Sequence, residues 1–115
     1  MIKTEFGIID NFAPDKKYNE HEPEKYHCVA IDDDKYINDW WDSLLMIRTY
    51  NMSLEQSQWA LSRWGITLIP PESLPALLSI ISQDKRIYED ENLVRLAEKI
   101  QTAIDEHKYM IHYGV

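Results

Sequence analysis

The spacing of apolar residues divides the chain into stretches that read as strands and stretches that read as helices. Phe6-Gly7-Ile8-Ile9 is a short apolar run that predicts a first strand, and Tyr26 to Ile31 predicts a second. From Ile37 the period changes, with Ile37, Trp40/Trp41, Leu44/Leu45 and Ile47/Arg48 falling on one helical face. The run Asp32-Asp33-Asp34 precedes that face, where aspartates cap free N–H groups and complement the helix dipole. Ser53-Leu54-Glu55-Gln56 has the form of a capping box, which predicts a short helix through Trp59 and Leu61, stopped by Gly65. Ile66 to Ile69 predicts a third strand, ended by Pro70-Pro71. Helical spacing returns from Ser73 to Gln83, with Pro75 tolerated in the first turn. The cleanest stripe is Leu93, Leu96/Ala97, Ile100 and Ala103/Ile104, in a helix begun near Asp90; Tyr109 to Tyr113 then predicts a terminal strand.

The expectation is a single α+β domain over residues 1–115, with four short strands in one sheet packed against three or four helices. The order is β-β-α-α-β-α-α-β. Residues 10–25 combine two prolines and many charges with few apolar residues, and are expected to form an exposed acidic loop.

Composition supports a globular chain: 44% of the residues are hydrophobic, which argues against an acidic disordered protein. Charge changes the picture more. The net charge is −8, and residues 10–42 carry −6 of it, from ten Asp/Glu against four Lys. Such a field opposes direct binding to nucleic acid and favours encounter with a basic protein. No apolar run approaches the ~18 residues of a membrane span, and the first residues lack the layout of a signal peptide. With Cys28 as the lone cysteine, a cytoplasmic location is expected.

Candidate chemistry is sparse. Gly7, Gly65 and Gly114 are too far apart to build a phosphate-cradling loop, so neither a dinucleotide fingerprint nor a P-loop is present. His21, Glu22, Glu24 and His27 lack metal-ligand spacing, and Asp32-Asp33-Asp34-Lys35 lacks the pattern of a calcium loop. No cofactor, metal or catalytic residue is therefore assigned. A small enzyme using His27, His112 and a carboxylate stands as one alternative, and a self-associating structural or regulatory subunit as another. Each tryptophan lies in or beside an amphipathic segment, which favours a core role. Yet seven tyrosines and four tryptophans exceed the need of a small core, and such residues dominate binding hot spots.

Two segments, Trp64-Gly65-Ile66-Thr67-Leu68-Ile69-Pro70-Pro71-Glu72-Ser73-Leu74 and the ending Lys108-Tyr109-Met110-Ile111-His112-Tyr113-Gly114-Val115, look like parts of small uncharacterised bacterial proteins. The chain is also similar in kind to immunity proteins of bacterial toxin–immunity systems, which are small, acidic and single-domain. That resemblance implies a non-enzymatic binding protein that covers the active site of a basic toxin, for example a nuclease. The expected partner-binding residues are Asp32, Asp33, Asp34, Asp39 and Asp42 for steering and hydrogen bonding, with Tyr36 or Trp41 as a buried anchor.

Overall fold

In the computed structural model, which describes residues 2–115, a single six-stranded antiparallel sheet organises the chain. The elements run β1 (Lys3–Ile9), β2 (Val29–Asp32), α1 (Asn38–Leu44), β3 (Arg48–Asn51), β4 (Ser57–Trp59), β5 (Ile66–Ile69), α2 (Leu74–Gln83), α3 (Glu91–Asp105) and β6 (Tyr109–Tyr113). The strand order is β2-β1-β6-β5-β3-β4, so the two most distant strands in sequence, β1 and β6, pair at its centre.

Alternation along the strands builds two apolar layers. Phe6, Val29, Ile31, Ile69 and Met110 face the helices and join Ile37, Trp40, Leu44, Leu77, Ile81, Leu93, Leu96 and Ile100 in the larger core. Ile9, Ile66, Leu68, Ile111 and Tyr113 face the other way. That second face is covered by the segment after β1, through Phe12, Tyr18 and Tyr26. The Phe12 ring stacks on Tyr109 at 3.7 Å and on Tyr18 at 5.5 Å, and the Tyr18 hydroxyl accepts from the Ala13 N–H. The predicted loop is thus irregular in backbone but serves as the sheet's lid, its acids turned outward and its aromatics inward. Gly7 permits the close approach: a Cβ there would lie 2.7 Å from both the Tyr26 carbonyl oxygen and Cys28 Sγ.

Among the described residues the expected count of four strands and three or four helices is corrected to six strands and three helices, and the β-β-α-α-β-α-α-β order falls with it. The error lies between Arg48 and Trp59. The helix from Asp33 ends at Leu44, and the next residues turn into the β3–β4 hairpin, with Thr49 opposite Gln58. Ser53 does use its side chain as foreseen, accepting from the Glu55 N–H at 3.3 Å, but in a turn that closes a hairpin. Side-chain-to-backbone bonding of this kind serves turns as well as helix starts, so the motif alone could not choose. Gly65 accordingly ends no helix. Strand β2 also starts later than expected, because residues 23–27 form a turn in which His27 has a left-handed φ of 52°. The strands at 66–69 and 109–113 and the helices ending at Gln83 and starting after Asp90 agree with the sequence. Asp90 caps α3 by accepting from the Asn92 N–H at 2.9 Å.

Candidate protein-binding surface

The acidic run between β2 and α1 fixes the site's foundation. Asp32 caps the following turn by accepting from the Lys35 N–H, and Asp33 to Ile37 form one π-helical turn leading into α1. That turn rotates Asp33 inward, where it is 2% exposed. Its carboxylate Oδ2 accepts from Nη2 of Arg63, while Arg63 Nη1 donates to Asn38 Oδ1. The guanidinium lies over the Trp41 ring, 5.6 Å from its centroid. Arg63 belongs to the loop between β4 and β5, so one side chain clamps that loop to α1.

The chain end secures the same loop. Val115 N–H donates to the Arg63 carbonyl and Gly114 N–H to the Gly65 carbonyl. A Cβ at Gly114 would stand 2.1 Å from the Arg63 carbonyl oxygen, so only glycine admits this contact. Loop, helix and terminal segment form a fixed frame around an open cleft of about 570 Å³ lined by Asn38, Trp41, Asp42, Leu61, Arg63 and Trp64. Trp64 is 81% exposed, and Leu45 and Met46 extend the apolar surface one turn beyond Trp41 and Asp42.

The sequence-predicted binding residues divide into two groups. Asp34 and Asp42 are exposed and form no ion pair among the described residues, and Trp41 is half-buried in the cleft wall. Asp32 is half-buried in its cap, whereas Asp33 is buried in its ion pair. Asp39 is exposed but paired with Arg86 at 2.9 Å. Tyr36 is fully buried: it stacks on Trp40 at 5.3 Å, lies under the Arg86 guanidinium and donates to Asp90 Oδ2. Burial and the neighbouring Asp90 carboxylate push its phenol far above the ordinary range, so it remains a donor. It is an internal strut, out of reach of a partner in this conformation. Arg86 also grips Asp84, whose carboxyl it holds well below the usual carboxylate range and which accepts from the Trp40 indole N–H.

The acidic lid and the acidic start of α1 lie on opposite faces of the sheet and do not form one surface. Trp64 is the residue that sequence reasoning missed. It falls three residues after Leu61, on the period of the predicted helix stopped by Gly65, and that helix does not form.

The histidines do not converge. His27 is exposed in its turn on the lid side, near Glu5, Glu24 and the half-buried Cys28, whose thiol burial pushes up to about 12. His112 points to the helix side and is 1% exposed, packed on Phe6 and held between Thr4 and Thr67. Thr4 donates to the Tyr113 carbonyl, so its oxygen is left to accept from His112 Nε2–H, and Nδ1 faces the Thr67 hydroxyl. Burial lowers its pKa to about 3, leaving a neutral ring. Among the described residues no three His, Cys, Asp or Glu side chains gather as a metal-binding group, and no helix is long and apolar enough to cross a membrane.

Comparison of the chain with protein-family models, characterised proteins and solved structures finds no match. The functional reading therefore rests on the surface itself.

Proposed function

We propose that this chain is a non-enzymatic acidic binding protein, and that it acts as an immunity protein covering the active site of a basic toxin such as a nuclease. One observation carries the reading: a rigid cleft lays two indoles, Trp41 and Trp64, beside the unpaired carboxylate of Asp42, with Asp34 one turn before Asn38. Large aromatic rings supply the contact area of a binding hot spot, and uncompensated acids supply orientation and encounter rate. The docking face is the α1 side of the sheet rather than the lid. A cytoplasmic location belongs to the same proposal.

The test is capture of partners from the native cell, with salt elution and the substitutions Asp34→Asn and Asp42→Asn. A basic partner whose association slows severalfold between low and physiological salt, and slows again in the double variant, supports the reading. A partner indifferent to both overturns it. The exposed indoles of Trp59 and Trp64 also suit self-association. A concentration-dependent dimer without any heterologous partner would favour that second reading.

A further inference from the structure

We infer that the Trp64 side of the cleft is a slot for a cationic side chain, an arginine or lysine, presented by the protein partner. This rests on the binding reading above and specifies what the surface recognises.

The argument begins with the other indoles. Trp40 is buried and spends its N–H on Asp84. Trp59 is half open, but Arg48 from the neighbouring strand lies over its ring at 4.9 Å. Trp41 carries Arg63 at 5.6 Å. Among the tryptophans of the described residues Trp64 alone has an exposed ring with no cation over it, and it is the most exposed of the four. Nothing in the fold needs an indole at this position: neighbouring Gly65 and Arg63 make the backbone contacts that fix the loop. A cation over the face of tryptophan is attracted by the ring quadrupole, more strongly as water is excluded.

Charge selects the same occupant. The cleft is lined by one acid, Asp42, and one base, Arg63. Arg63 and Arg86 are engaged by Asp33, Asp39 and Asp84, which leaves Asp42 in the cleft wall without a counter-ion. An entering guanidinium would meet an aromatic face and a free carboxylate in one cleft. A purely apolar side chain would leave Asp42 unanswered and partly desolvated, which is unfavourable.

The probes are two capped tripeptides, acetyl-Gly-Arg-Gly-amide and acetyl-Gly-norleucine-Gly-amide, titrated into the full chain while the indole N–H resonances are followed. The Trp64 signal is expected to move with the arginine peptide and to half-saturate at a concentration about fivefold lower than with norleucine. Asp42→Asn should abolish that preference at the Trp64 signal, and Trp64→Ala should abolish it at the signal of Trp41, which lines the same cleft. Both positions are exposed, so unchanged dispersion of the remaining resonances will verify folding. Equal or better binding of norleucine, or no movement of Trp64 with either peptide, would overturn the slot. The two proposals fail separately. A basic partner captured equally well by Trp64→Ala removes the slot and spares the binding reading, whereas an arginine-selective slot in a chain that captures no basic partner does the reverse.

Discussion

The hydroxyl of Tyr36 donates to the carboxylate of Asp90 at 2.6 Å, joining the turn before α1 to the cap of α3 across 54 residues of sequence. The same carboxylate caps α3 through its other oxygen, so the bond ties a tertiary contact to a helix start. Tyr36→Phe is expected to lower stability by about 1–2 kcal/mol, the usual worth of a partly buried hydrogen bond to a charged group. Urea unfolding checks this. Partner affinity should be unchanged, since the ring is inaccessible; a large loss of affinity in a folded variant would contradict the internal role assigned to it.

Removing one member of the Asp33–Arg63 pair should do more damage than removing both. Their side chains are only 3% and 18% exposed, and an orphaned charge there loses its compensation. Arg63→Met alone should cost about 3 kcal/mol, and adding Asp33→Asn should return part of it. Chemical denaturation of the two single variants and the double variant measures the coupling. Additive losses would mean that the clamp is held by the backbone contacts of Gly114 and Val115 instead.

His112 predicts an acid-sensitive fold. Its neutral form is the native one, with the pKa lowered to about 3 against about 6.5 in an unfolded chain. The unfolded state therefore binds the extra proton, and stability is lost as pH falls through the window from about 6.5 toward 3. The slope for one such group approaches about 1.4 kcal/mol per pH unit. Denaturation midpoints at pH 7 and pH 5 should differ in the parent chain and differ less in His112→Phe, which keeps a planar ring and cannot titrate.

Gly7→Ala tests the lid. Its new methyl would collide with the Tyr26 carbonyl and Cys28 Sγ, and the backbone oxygen cannot swing aside as a side chain can. Loss of stability of about 1–3 kcal/mol is expected, with faster alkylation of Cys28 as the turn lifts from β1. A variant as stable as its parent and equally slow to react would show that the turn is free to shift.

Long amphipathic stripes and their caps were legible because a single helix decides them: Asp90, Leu93, Leu96 and Ile100 need no partner to be read. The β3–β4 hairpin was not, since Arg48 to Asn51 and Ser57 to Trp59 are short strands at one side of the sheet, and Ser53 to Gln56 has the form of a helix start. The site suffered from the same local view. Composition revealed an acidic aromatic region but could not separate Asp33 and Tyr36, turned inward by one π-helical turn, from Asp34 and Asp42 on the outside. Nor could it show that Tyr18 and Tyr26 belong to a lid, a fact set by the far end of the chain through Tyr109 and Tyr113.

The central pairing of β1 with β6 also governs when this molecule can fold. Glu5 lies opposite Tyr113 and Ile9 opposite Tyr109, about a hundred residues apart in sequence, so both apolar layers wait for the last strand. Contacts of such long separation are formed late and slowly. During synthesis the first strands, the lid aromatics and the helices must remain loosely organised until Tyr113 has been released. Nascent chains halted before Tyr109 are accordingly expected to be cut readily by protease, and chains extended past Val115 by a flexible tether to resist it.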